Sequence, residues 1–307
     1  MLKSSDIKEF IEQYPDLVRV KEDPSTGLRV LKYHNRVFYK DLWHVSPMLL
    51  KMRGMVTDEH YNPVIYPFDK VFNYRENGTY LPLDETVTIV RKINGFMAAA
   101  RYVEPYGLVV STTGTLDSPF ADLARKRLEP FTERMKRWSN MTFIFEIVDE
   151  SDPHIVVEDA GAYLIGARNM DTQYLLEPKL LHYLANHSMY YSGIGDETPT
   201  PGQAKFRDVL KWAKTIRHEG WMIYGSKTLK LKSSFYLTTK LLGRMPPEKL
   251  GKYLESGQKI QWMDEDFQWA LDRLQQEKDY FLALDMPRRV EYVRNVIEEG
   301  LNDVVYK

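Results

Sequence analysis

A chain of 307 residues has room for one large domain and a smaller one, each with a proper apolar core. Its 42 Lys and Arg against 43 Asp and Glu leave a net charge of −1, which excludes a polycation and confines any nucleic-acid site to a local basic groove with salt-sensitive binding. The absence of cysteine excludes disulfides, thiolate metal sites and a cysteine nucleophile; with no apolar run of ~20 residues and no signal-like Met1-Leu2-Lys3 opening, an intracellular protein is expected.

Taken in chain order, residues 5–18 carry a helical stripe of Phe10, Ile11, Tyr14 and Leu17 behind Ser5 as N-cap. Short β-runs follow at 28–33, 37–39, 54–57, 64–66, 86–91, 96–103 and 108–112. Residues 119–138 have helical periodicity, which Pro130 kinks or splits. Strand patterns return at 142–148, 163–168, 220–224 and 227–232. Between them, 192–202 is rich in Gly, Pro, Thr and Asp and reads as a loop, with a helix at 204–217. Beyond Tyr236 the pattern is helical. Pro246-Pro247 opens one helix, 264–284 forms a long one, and 287–299 forms another that Gly300 closes. A boundary near 240 therefore separates an α+β domain (1–239) from a small helical domain (240–307).

Lys92-Ile93-Asn94-Gly95 lies between two of the β-runs, with Gly95 free to adopt a backbone shape closed to other residues. A lysine presented at such a turn can attack the α-phosphate of a nucleoside triphosphate and store the monophosphate as a phosphoramidate. By itself the tetrapeptide is equally a β-hairpin with an Asn-Gly turn. Other segments bear on the choice. Lys230 and Lys232, two apart in a strand, point the same way, which suits an anion between them or a solvated edge strand. Glu146 interrupts the apolar run Thr142-Phe143-Ile144-Phe145-Glu146-Ile147-Val148, where a carboxylate is costly unless it is paired or functional. Glu219 precedes the apolar run 221–224, and an acid near a triphosphate suits Mg2+. Arg53-Gly54 opens a strand, and Pro67-Phe68-Asp69-Lys70-Val71-Phe72-Asn73 sets a lysine among aromatics; arginine suits phosphate and phenylalanine suits a base.

In order, Arg53-Gly54, Asp69-Lys70-Val71-Phe72-Asn73, Lys92-Ile93-Asn94-Gly95, Phe145-Glu146-Ile147-Val148, Glu219-Gly220-Trp221-Met222 and Leu229-Lys230-Leu231-Lys232-Ser233 with Tyr236 resemble the bacteriophage RNA ligase 1 family. The resemblance covers residues 28–236. It implies a nucleotidyltransferase fold, with ATP-grasp-like antiparallel sheets flanked by helices. It also implies ATP-dependent joining of RNA 5′-phosphate and 3′-hydroxyl ends, with Mg2+ or Mn2+, in the repair of RNA such as cleaved transfer RNA.

Residue by residue, the resemblance makes Lys92 the adenylated nucleophile and Gly95 the motif glycine. Arg53 and Lys70 become phosphate contacts, and Phe72 shapes the nucleotide pocket. Glu146 becomes the ribose ligand and Glu219 the metal ligand. Lys230 and Lys232 stabilise the α-phosphate, supported by Tyr236. The sequence departs from the family at Asn94, where aspartate is usual, at Phe96, where serine is typical, and at Thr113, where the family carries a lysine. Two alternatives stay open: a ligase acting on DNA ends or another acceptor, and a non-catalytic RNA-binding relative.

Overall fold

The computed structural model describes residues 1–152, 154–185 and 202–305. These residues form strands β1 (Val18–Glu22), β2 (Arg29–Tyr33), β3 (Arg53–Thr57), β4 (Pro63–Ile65), β5 (Thr86–Arg91), β6 (Phe96–Val103), β7 (Gly107–Thr112), β8 (Met141–Val148), β9 (Gly161–Asn169), β10 (Gly202–Lys205), β11 (Gly220–Tyr224) and β12 (Thr228–Lys232). The chain divides into two compact units: Met1–Gly78, Gly95–Glu150 and Asp159–Pro201 form the first, and Thr79–Asn94, Ser151–Glu158 and Gly202–Lys307 the second.

The first unit holds two four-stranded antiparallel sheets, ordered β1-β2-β3-β4 and β7-β6-β8-β9. Strand β8 is buried along its whole length, and its Phe143, Phe145 and Ile147 pack with Ala98, Ala100 and Leu164. Helix Pro119–Leu128 covers this core, started by Ser118, whose hydroxyl accepts the Ala121 N–H. Pro130 splits the helical stretch as expected: a 3-10 turn, Glu129–Phe131, precedes helix Thr132–Arg137.

The second unit holds one antiparallel sheet, β10-β5-β11-β12, and the C-terminal helices. Helix Ser234–Arg244 buries Phe235 and Leu242 against Val293 and Ile297 of helix Met286–Val305, in a core shared with Leu250, Phe267 and Phe281. No helix among the described residues is long and apolar enough to cross a membrane.

Several expected elements differ. Residues 37–39 belong to helix Asn35–Tyr39, whose single buried residue, Val37, leaves Phe38 and Tyr39 exposed. The His34 ring starts this helix by accepting the Arg36 N–H. The first helix spans Ser4–Gln13 with Lys3 as its N-cap, and the chain then forms β1, an edge strand with Val18 as its buried residue. The stretch 264–284 is broken into Glu265–Phe267, Trp269–Gln276 and Lys278–Ala283, the last two separated by Glu277, whose backbone (φ −121°, ψ 32°) leaves the helical region. Gly300 does not close the last helix, which continues to Val305. Residues 204–217 give β10 and then helix Phe206–Trp212. The predicted loop lies, up to residue 201, outside the described residues.

Candidate active site

In the second unit the sheet register assembles a cluster around Lys92. Arg91 pairs with Trp221, and the next N–H, that of Lys92, donates to the Gly220 carbonyl at 2.9 Å. Gly220 also sits opposite Lys232 of β12. Lys92, Gly220 and Lys232 therefore lie in a row across three strands. Gly220 has φ +137°, and any side chain there would strike the Leu231 carbonyl. Glu219, just before it, is driven beneath the row with 3% of its side chain exposed.

Lys92 Nζ lies 3.0 Å from Oε2 of Glu219, and Lys232 Nζ lies 3.3 Å from Oε1. One buried carboxylate thus bridges two ammonium groups, its attraction to both set against the desolvation of all three. The Asn94 amide donates to Glu219 Oε2 at 3.1 Å, while its oxygen accepts the Val156 N–H at 3.0 Å. Lys230 is on the same face of β12 as Lys232, opposite Met222. Tyr236 packs its ring 4.6 Å from Lys232 Nζ, held by the Ser233 hydroxyl that caps the helix.

Three neighbours of the cluster carry chemistry that the sequence reading missed. Glu158 pairs with Arg91 at 2.8 Å and accepts the Asn94 N–H at 3.3 Å; burial holds its carboxyl above the usual range despite Arg91. It lies in the poorly patterned segment 151–158, where nothing in the periodicity marks it. His218 is pushed down to about 4, by burial first and then by the Arg91 cation. Lys240, one turn beyond Tyr236, also approaches that ring.

The first unit holds the other predicted residues. Gly95 donates its N–H to Glu146 Oε1 at 3.2 Å, and a Cβ there would lie 2.2 Å from the Ile147 carbonyl oxygen, so no side chain fits. Glu146 is 8% exposed. Its charge acts on Arg53, whose guanidinium is pulled below its usual range by burial, with Tyr33 and Glu146 opposing. Arg53 Nη1 lies 3.0 Å from Met97 Sδ. Tyr33, raised by burial, also feels the charges of Arg53 and of Glu76. Lys70 pairs with Glu76 at 3.4 Å inside a cage of Phe38, Trp43 and Phe72 rings, Phe72 being nearest at 4.8 Å from Nζ.

The predicted set therefore divides into Lys92, Glu219, Lys230, Lys232 and Tyr236 in one unit and Arg53, Lys70, Phe72, Gly95 and Glu146 in the other. The chain passes between units in the middle of the lysine motif, at the Asn94–Gly95 bond. Chemically, the first set offers a nucleophile with two further ammonium groups for phosphate charge, and the second offers a guanidinium, a carboxylate and aromatic rings.

Two archaeal ATP-dependent RNA ligase structures, forms 2 and 1, match 95% of this chain and 82% of theirs, with TM-scores of 0.56 and 0.55 at 15% identity. At that identity they establish a shared fold. A Naegleria gruberi RNA ligase with ATP and Mn matches 50% of this chain and 51% of its own at 15% identity, with a TM-score of 0.40. A search of curated protein sequences gives no significant match. The model of the family described as RNA ligase, the phage RNA ligase 1 type, matches residues 51–242, well over half of the sequence. This chain belongs to the RNA ligase family.

Proposed function

We propose that the protein joins an RNA 5′-phosphate to a 3′-hydroxyl at the expense of ATP, with Lys92 as the covalent carrier of AMP. The observation that carries this reading is the Lys92–Glu219–Lys232 bridge, in a chain that belongs to the RNA ligase family. In the first step Lys92 gives up a proton, for which Glu219 at 3.0 Å is an acceptor within reach, and its free amine attacks the α-phosphorus of ATP. A P–N bond forms, the bond to the bridging oxygen breaks, and pyrophosphate leaves with its electron pair. In the second step a 5′-phosphate oxygen of RNA displaces Lys92, whose nitrogen takes up a proton. In the third, the 3′-hydroxyl attacks that 5′-phosphorus, loses its proton, and AMP departs.

Lys230 and Lys232 are proposed to hold non-bridging α-phosphate oxygens, and Tyr236 to fix Lys232 through ring contact. Arg53, Lys70, Phe72 and Glu146 are proposed to bind the rest of the nucleotide, Glu146 at the ribose. Glu219, with Glu158 nearby, is proposed to hold Mg2+ or Mn2+, which take one or two carboxylates and draw the remaining oxygens from water and phosphate. When bound, the ion supplies charge neutralisation at the phosphates and competes for the Glu219 oxygens. Cleaved transfer RNA is the substrate class that the family resemblance carries.

A joining assay tests the acceptor. RNA strands with 5′-phosphate and 3′-hydroxyl ends are expected to be sealed with ATP, and DNA strands of the same sequence only weakly. Sealing of DNA ends alone would overturn the RNA assignment.

A further inference from the structure

Lys240 stands one turn after Tyr236 on helix Ser234–Arg244, so both side chains share a face. Its Nζ is 5.7 Å from the Tyr236 ring centroid, and Lys232 Nζ is 4.6 Å from the same centroid. Two ammonium groups therefore flank one ring. Lys240 is half-buried, yet among the described residues no carboxylate forms an ion pair with it; Glu219, the acid it senses, is held by Lys92 and Lys232. The charges acting on Lys240 are, in decreasing order, those of Lys232, Arg244, Glu219 and Lys92. Burial, followed by the Lys232 and Arg244 cations, holds its pKa below that of a free lysine.

A half-buried lysine crowded by two cations lacks an anion. In-line attack by Lys92 sends the leaving group away from Lys92, towards the far side of the α-phosphate. Successive contacts link Lys92 to Lys232 through Glu219, and Lys232 to Lys240 through the Tyr236 ring.

We propose that Lys240 binds the β- and γ-phosphates of ATP and the pyrophosphate that leaves when Lys92 is adenylated. This rests on the ligase reading and extends it, since Lys240 would then serve lysine adenylation and its reversal, but not the joining step, which releases AMP alone.

The test uses the full chain carrying Lys240→Met or Lys240→Arg in three assays: adenylation by ATP, removal of AMP from adenylated protein by pyrophosphate, and sealing of pre-adenylated RNA without ATP. For Lys240→Met, the ATP and pyrophosphate concentrations giving half-maximal rate are each expected to rise about tenfold, the loss of one charge-assisted phosphate contact. Sealing of pre-adenylated RNA is expected to stay within about twofold of wild type, because no interaction with Lys240 remains to lose. Lys240→Arg, which keeps the charge, is expected to recover most of the pyrophosphate response. Equal loss in all three assays, loss only in sealing, or no change would each overturn the proposal. Where Lys240→Met fails to fold, as judged by its melting curve, Lys240→Gln takes its place in the same comparison. A wild type that seals RNA beside an unaffected variant overturns only the role of Lys240, whereas a wild type that never forms an adduct overturns the ligase reading as well.

Discussion

At the scale of single residues, Asn94 shows how a departure from the family pattern is absorbed. Its amide donates to Glu219 and its oxygen accepts the Val156 N–H, so both ends of a buried side chain are used. An aspartate keeps the second bond but sets a carboxylate against Glu219. Asn94→Asp is therefore expected to cost about 2 kcal/mol of stability at pH 7, from a lost donor and like-charge repulsion. Urea melts of the variant beside wild type check this, and an unchanged midpoint would contradict it. His218 gives a pH signature. Its folded pKa of about 4 is below the ordinary 6.5, so the fold favours the neutral ring. The stability that this supplies is complete above 6.5 and is lost as pH falls towards 4. His218→Gln should flatten the fall in melting temperature between pH 7 and pH 5, and an unchanged slope would contradict the assignment. The lysine motif and its partners were legible because charged residues stood out against apolar strands. Glu158, His218 and Lys240 were not, since each looks like an ordinary surface residue until burial and neighbours are known.

At the scale of elements, apolar β-runs located the inner strands β5, β6, β8 and β11 well, because each buries apolar side chains. Edges were harder. Strand β1 is one-fifth buried and reads as solvent-facing chain, and the short helix Asn35–Tyr39 mimics a strand by exposing two aromatics. Gly300 misled for another reason. Glycine commonly ends a helix, but in this position it makes room for Trp269, whose Cη2 would stand 2.0 Å from an added Cβ. In an open helix Gly→Ala gains about 1 kcal/mol. Gly300→Ala is expected instead to lose about 1–3 kcal/mol through overpacking, with a shifted tryptophan emission as the local readout.

At the scale of the whole molecule, a net charge of −1 conceals a local group of lysines. Lys92, Lys230, Lys232 and Lys240 fall within one unit, and Glu219 and Glu158 lie among them. A cluster of that sign and burial is costly to assemble unless phosphate completes it, which is why the ordered motifs carried the reading further than composition did. The same feature yields the most direct test. The protein is incubated with α-labelled ATP and Mg2+, then separated under denaturing conditions, beside Lys92→Ala. The account predicts an acid-labile label on the wild type and none on the variant. A folded, adenylate-free wild type that takes no label, or a Lys92→Ala variant that still does, would contradict it.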